Sequence, residues 1–546
     1  MKMVKSLLLG SAAGVVAVTT GQAADLPVKA KPVEYVKVCS LYGAGFFYIP
    51  GTDKCIKIGG YFREQWDLHA AGDGLAYMNA QARWTRGDTS DSAFRTRTNL
   101  TIDVREQSAY GTIRGYTSFG AQQTTGSDIF NSAIFFTRSF VQFAGFTGGR
   151  AVSFFDLISF DPYGLANIRP QLGNTGATGI NVFAYTWQLG NGASFSISAE
   201  DACASYPQFI GSPSAFSTNA SVQNTTGSGI NSERGCLVLN SSDSAAAGLG
   251  TMRLANEGYN VPDIVAAARV DQAWGTAQVM GAYHKVGASY YYTGTSTAGD
   301  QNNGHPNDRA GWAVGAGFIL NNVLGMQGDQ FGAQANFTEG AVGYLTNGIG
   351  PLDGFAGGAN GLGNSVTWGH IFDGIYTSGI PTVGGCTAAT AGTVTCGSGI
   401  ELTTGWTIGG FYEHHWNPQW KTSIYGGYVK IMYDNTAAAY YCTNNPFTYV
   451  RGATPSNGVG AFNSAMSAGS SCDPNTSLWS LGTRTMWNPN SNLDLGVDFM
   501  WNNLWSASAG AVTLGAQGSR PAGVYNIAAN YNVYTVALRA QYNFLP

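Results

Sequence analysis

Residues 94–105 constrain this chain more than any other stretch. Arg95, Arg97, Asn99, Thr101, Asp103 and Arg105 alternate with Phe94, Thr96, Thr98, Leu100, Ile102 and Val104. A strand repeats every two residues, so one side of this segment meets water and the other an apolar medium. The pattern recurs as a unit: roughly ten alternating residues, a tight turn, a second such strand, then a much longer polar loop. Repeated around a closed sheet, that unit specifies an all-β, transmembrane antiparallel β-barrel.

The alternation predicts strands at 55–68, 94–105, 111–119, 133–144, 149–155, 181–189, 194–199, 264–270, 276–286, 312–320, 330–344, 402–415, 421–433, 478–487, 493–504 and 531–544. About sixteen strands is an even number, which puts both barrel ends on one side. The turns 106–110, 145–148, 190–192 and 271–275 are short, and Gly190-Asn191-Gly192 is a hairpin signal. The connections 70–93, 156–180, 200–263, 287–311, 345–401, 434–477 and 506–530 are long, and only 120–131 on that side is short. Tight turns at one end and long loops at the other match periplasmic and extracellular faces. An array of soluble sandwiches has no reason to sort its loops in this way.

In Trp416-Asn417-Pro418-Gln419-Trp420 and Trp487-Asn488-Pro489 the proline is expected to end the ladder and the indoles to lie at the membrane–water interface. Glu64 resists the scheme. If Arg63 and Asp67 face the lumen, Glu64 faces lipid, unless a bulge at Gly59-Gly60 or a neighbouring subunit relieves it.

The N-terminus reads as export machinery. Lys2 and Lys5 precede an uncharged, apolar-centred stretch that ends in Gly21-Gln22-Ala23, so a signal peptide is expected over 1–23. A periplasmic lead-in over 24–54 and a barrel domain over 55–546 follow. No later stretch has ~18 consecutive apolar residues, so helical spans are not expected. Charged residues make up 11% of the chain, low against the ~25% of soluble proteins. Without the two signal lysines, 26 basic residues face 32 acidic ones, which implies no nucleic-acid partner.

Eight cysteines in an exported chain form an even set. Local pairing is natural: Cys39 with Cys55, Cys203 with Cys236, Cys386 with Cys396, and Cys442 with Cys472. No Cys-x-x-Cys or histidine cluster argues for a metal, and no cofactor is expected.

Several stretches resemble one family. They are Asp25-Leu26-Pro27-Val28-Lys29-Ala30-Lys31-Pro32, Val36-Lys37-Val38-Cys39, and the run from Tyr42-Gly43-Ala44-Gly45-Phe46-Phe47 through Tyr48-Ile49-Pro50-Gly51-Thr52-Asp53-Lys54-Cys55. Gln142-Phe143-Ala144-Gly145-Phe146-Thr147, Gly149-Arg150, Ser153-Phe154-Phe155-Asp156 and Tyr425-Gly426-Gly427-Tyr428 belong with them. Together they are similar to the alphaproteobacterial general porins. The resemblance implies a sixteen-stranded homotrimeric barrel in the Gram-negative outer membrane, among lipid and lipopolysaccharide, passing small hydrophilic solutes and ions by diffusion. It also implies that the third loop folds inward. Such barrels usually end on an aromatic residue, whereas here Leu545-Pro546 follow Phe544.

Under that reading, Arg63, Arg95, Arg97, Arg105 and Arg114 line the lumen, with Arg138 and Arg150 on the next pair of strands. The third loop brings Asp156, Asp161 and Arg169, anchored by Phe154, Phe155, Phe160 and Pro162. Loop carboxylates opposite wall arginines would make a transverse field across a constriction. The plainer alternative is that each arginine pairs with Asp67, Asp103 or Glu106. An enzyme is not expected: none of the six histidines lies in a recognisable nucleophile motif. A substrate-selective channel, an adhesin-like barrel with its long glycine-rich loops, or a closed structural barrel are the other readings.

Overall fold

The computed structural model describes residues 38–68, 92–124, 133–165, 172–175, 179–201, 238–245, 249–254, 257, 260–288, 290–291, 304–345, 365–366, 371–377, 397–443, 465–466, 469–514, 523–527 and 529–544. The expected signal, residues 24–37 of the lead-in, Arg169, Leu545-Pro546 and the pairs Cys203–Cys236 and Cys386–Cys396 lie outside them.

Sixteen antiparallel strands close into a barrel. In chain order they are β1 Cys55–Leu68, β2 Ser92–Ser108, β3 Gly111–Thr124, β4 Ala133–Phe143, β5 Phe146–Ala151, β6 Ile180–Gly190, β7 Ala193–Glu200 and β8 Asp263–Gln272. Then come β9 Gly275–Val286, β10 Arg309–Asn321, β11 Gln330–Glu339, β12 Thr404–Asn417, β13 Trp420–Met432, β14 Thr476–Asn490, β15 Leu493–Ser506 and β16 Asn530–Phe544. Each strand pairs with its neighbour in sequence, and β16 pairs with β1 from Gly60↔Phe544 to Leu68↔Val536, which leaves no edge.

The two faces invert the usual rule of burial. Outward-facing Phe62, Val279 and Ile424 are 52%, 58% and 55% exposed, while inward-facing Gln65, Gln334 and Asp498 are buried. Only an apolar surrounding medium makes that distribution favourable. Aromatic rings bound the outer apolar band. Trp312, Phe337, Trp406, Tyr428 and Trp479 lie towards the long-loop end, with Tyr428 and Trp479 centroids 5.0 Å apart. Trp420 and Trp487 stack at 5.8 Å near the tight turns. Trp479 and Trp487 are eight residues apart on one strand, ~26 Å along it and ~20 Å once tilted by ~40°. That is close to the height of a barrel's apolar band.

Several boundaries differ from expectation. The β2–β3 ladder runs to Ser108↔Gly111, because the Ser108 hydroxyl accepts from the Tyr110 amide and donates to the Gly111 carbonyl, making a tighter turn. Ala144 and Gly145, at φ +49° and +90°, turn the chain at once after Phe143, so β5 occupies Phe146–Ala151 rather than 149–155. β11 stops at Glu339, where Gly340 takes φ +67°. Pro489 does not end its ladder: a register shift between Trp487 and Asn490 absorbs it. No bulge occurs at Gly59-Gly60, which pair continuously with Thr101 and Leu100, so Glu64 does point outward, accepting from Thr96 Oγ1 (2.5 Å).

The long connections are not plain loops. Strands at Val238–Ala245, Leu249–Leu254, Gly374–Tyr376 and Glu401–Leu402 form one four-stranded sheet, and Ser365–Val366, Ala465–Met466, Ala511–Leu514 and Gly523–Ile527 another. A helix, α1, spans Asn435–Thr443 and carries Cys442, bonded to Cys472. At the opposite end Cys39 is bonded to Cys55, and Phe47–Tyr48 adds two residues of ladder to β1.

Candidate functional site

The lumen face of β16, β1 and β2 carries four arginines at neighbouring heights. Arg63 stands in register with Arg97, and Gln65 with both Arg95 and Arg539. Amide side chains hold the guanidiniums in place. Arg63 Nε donates to Gln541 Oε1 (2.6 Å) and Arg97 Nε to Gln122 Oε1 (3.0 Å). Gln65 Oε1 accepts from Arg95 Nη2 (3.3 Å) and Arg539 Nε (2.9 Å). Rings support two of them: Arg63 lies 4.4 Å over Tyr61 and Arg97 4.7 Å over Phe135. Arg539 was not singled out in the sequence, although the same alternation that marks Arg95 and Arg97 places it beside Gln541 and Asn543.

Towards the tight turns the chemistry changes. Arg105 and Arg114 share the carboxylate of Asp103, at 2.8 Å and 3.0 Å. For these two the plainer alternative holds, and Arg114 sits apart from the upper cluster. Arg138 faces the lumen opposite Ser118 and donates to the Thr137 carbonyl (2.8 Å). Arg150 lies within charge–charge range of Arg138, with its Nε and Nη2 buried. The turn at 144–145 sets Arg150 in register with Ser139 and Asn181, the outward-facing set.

Loop 3, which follows β5, crosses to the far wall and runs along its inner face. At its root the Phe154 carbonyl accepts from Gln278 Nε2 (3.2 Å) and the Ile158 amide donates to Gln334 Oε1 (3.0 Å). Further on, Tyr163 stacks on Phe411 with centroids 3.5 Å apart, and Phe160 packs 5.8 Å from Tyr425. The backbone of the described tip is gripped from five strands. Ser423 Oγ donates to the Tyr163 carbonyl (2.5 Å) and Arg484 to that of Pro162. The Leu165 amide donates to Asp498, while its carbonyl accepts from Arg539 (3.0 Å) and Gln65 (3.1 Å). Gly164 has to be glycine, because a Cβ there would lie 2.2 Å from the Tyr425 ring.

The tip therefore meets the basic cluster directly, through Arg539 and Gln65. The acidic residues of the loop are placed differently from expectation. Asp156 accepts from the Asn174 and Thr175 amides (2.5 and 2.7 Å), bracing its own loop, and is also within charge–charge range of Arg138. Asp161 bonds Ser159 Oγ (3.1 Å). Burial raises the Tyr163 hydroxyl to about 12, helped by the Glu413 charge, so it stays a neutral donor to Gln330 (3.1 Å).

Residues 25–530 match the model of a family described as the Porin subfamily. The chain is 32% identical over 188 residues to a putative outer membrane protein, y4fJ, of Sinorhizobium fredii, covering 34% of this chain and 51% of that protein. It is 40% identical over 126 residues to the porin Omp2a of Brucella ovis, covering 23% of this chain and 33% of that one. The aligned stretches thus span about half and one third of those relatives. Among solved structures, the outer membrane channel DcaP of Acinetobacter baumannii superposes with a TM-score of 0.50 at 13% identity, covering 91% of this chain and 99% of that one. At such identity the likeness is one of fold.

Proposed function

Since the chain belongs to the Porin subfamily, we propose that it forms a water-filled channel through which small hydrophilic solutes and ions diffuse passively across the outer membrane. A polar lumen spares a solute the cost of entering hydrocarbon, and a constriction filters by size and charge, so no chemistry is performed on the solute. The observation that carries the reading is the path of loop 3 along the inner wall to meet Arg539 and Gln65. In this reading Arg63, Arg95, Arg97 and Arg539 form the basic side of the constriction. Arg138 and the loop residues Asp156 and Asp161 flank it, with Arg114 lower in the exit.

The assembly proposed is a homotrimer. β5 has six residues where a spanning strand needs ~9–11, so the wall there is too low to meet lipid throughout. The outward positions nearby include Ser139 and Asn181, and Glu64 is another on β1; a second copy covers such polar groups at less cost than acyl chains do. The ringed apolar band elsewhere faces lipid, with lipopolysaccharide in the outer leaflet. Residues 1–23 are read as a cleaved signal and 24–54 as a periplasmic lead-in.

Purified protein added to a planar lipid film should give discrete ohmic conductance steps. A film that stays silent while the protein inserts would overturn the proposal.

A further inference from the structure

A buried charged cluster lies where the root of loop 3 meets the wall, and the diffusion reading gives it no task. Glu200 at the end of β7 and Asp263 at the start of β8 are directly opposed carboxylates. Glu200 holds the loop root, accepting from Ser153 Oγ (2.6 Å), the Phe154 amide (2.8 Å) and Ser198 Oγ (2.7 Å). Asp263 accepts from Tyr344 OH and contacts His284 Nδ1, each at 2.7 Å. The other ring nitrogen of His284, Nε2, faces Asp373 Oδ2 at 3.7 Å. Asp373 in turn accepts the Val342 amide (2.9 Å), and Tyr344 packs on Phe155 of loop 3 with centroids 4.7 Å apart. Glu200, Asp263, His284, Asp373 and Tyr344 are all buried.

His284 Nε2 makes no hydrogen bond among the described residues, but carboxylates lie within ion-pair range of both ring nitrogens. A carboxylate beside each nitrogen is therefore the setting of an imidazolium, and the neutral ring would turn a lone pair towards an acid. Without that proton three buried carboxylates would share the space with no cation on the ring, and an uncompensated buried charge is strongly destabilising. Among the described residues, the other charged or titratable neighbours include Asp156 of loop 3, Arg309 at the head of β10, bonded to the Ile400 carbonyl (2.9 Å), and Tyr433, whose hydroxyl accepts the Phe372 amide (3.3 Å).

We propose that His284 is a positioning residue for the constriction: as an imidazolium it joins Asp263 to Asp373, locks the loop that carries Tyr344 against Phe155, and so fixes the root of loop 3 and the width of the lumen. The proposal rests on the channel reading. Its consequence is a pore whose size cut-off is constant while His284 is charged and relaxes when the ring loses its proton.

The test compares wild type, His284→Gln and Asp373→Asn between pH 6 and pH 10. One readout is sugar permeation into proteoliposomes with sugars of increasing size; the other is amide hydrogen-exchange protection of residues 153–158. Wild type should pass larger sugars, by twofold or more, above the midpoint at which the ring loses its proton, with protection of the loop root falling at the same pH. His284→Gln should show the relaxed state throughout. Asp373→Asn should move the midpoint down by about one pH unit, as removal of one nearby opposite charge does. A purely packing role changes stability without moving a midpoint, so a flat wild-type profile, or an unmoved one in Asp373→Asn, overturns the proposal. If His284→Gln does not fold, the Asp373→Asn midpoint decides alone. Exchange that follows pH in liposomes impermeable to every sugar would sink the channel reading and leave the positioning role standing.

Discussion

Arg63 and Arg97 stand directly opposite one another across β1 and β2, two guanidiniums in register, fixed by the amide oxygens of Gln541 and Gln122. Like charges at opposed positions weaken a sheet, so the pair is not explained by stability. It is explained if the lumen there attracts anions. An ion ~8 Å from one guanidinium, at an effective dielectric constant of ~40, gains about 1 kcal/mol, roughly fivefold in local concentration. The variant Arg95→Gln with Arg97→Gln should therefore shift the channel towards cations several-fold. Reversal potentials in a salt gradient that do not move would refute this.

The far side of the constriction depends on one carboxylate. Asp498 accepts from Tyr425 OH (2.6 Å) and from the Leu165 amide, so it ties the loop tip to β13 and β15. Asp498→Ala leaves two buried donors without that acceptor, at about 1–3 kcal/mol each. The tip should detach, and larger sugars should enter liposomes faster. Asp498→Asn, which keeps an acceptor oxygen, should stay near wild type. Equal permeation by both variants and the parent would show that the grip does not hold the loop.

How much of this was legible in the chain follows from what each signal encodes. The strand pattern was legible because a two-residue period is a local property, and Cys55–Leu68 was read to the residue. Boundaries went astray where one backbone angle decides them, as at Ala144-Gly145, or where a bulge takes up a proline, as at Pro489. The arginines of β1 and β2 were found because they alternate with lipid-facing residues. The Asp498–Leu165 contact was missed because it joins residues hundreds of positions apart, which no local period records, whereas Arg539 stood in the alternation of the last strand and was passed over. Asp156 was legible as a loop acid, but not as one that braces its own loop through the Asn174 and Thr175 amides.

A second carboxylate, in the turn before β11, predicts acid lability. Asp329 is enclosed, and its oxygens take Tyr412 OH (2.7 Å), the His414 ring (2.7 Å) and the His415 amide (3.0 Å). Burial pushes this carboxyl up, but the three donors outweigh it and hold it below the usual range. A depressed carboxyl contributes stability that is present above its unfolded value of about 3.9 and is lost as pH falls through the lower folded value. Thermal unfolding in detergent should therefore show wild type losing stability below about pH 4. Asp329→Asn should be less stable at pH 7 and less sensitive to acid. Parallel curves for the two would exclude Asp329 as a source of the acid response.

The outer surface offers a test of which side meets a neighbouring subunit. Val141 on β4 lies among Ser139, Arg150 and Asn181, whereas Val279 on β9 lies among Ala268, Ala277 and Ala316, and both are exposed. A basic residue facing lipid costs about 2–4 kcal/mol at mid-bilayer, so Val279→Arg should lower insertion and thermal stability while leaving any inserted protein trimeric. Val141→Arg meets a protein surface in the proposed assembly. It places a cation two positions along β4 from Ser139, the register partner of Arg150, in a contact that has to close on itself, so it should yield monomers that still insert. Cross-linking and mass measurement in detergent separate the two outcomes. If Val279→Arg dissociates the trimer and Val141→Arg only impairs insertion, the low wall at β5 faces lipid and the interface lies on the opposite side of the barrel.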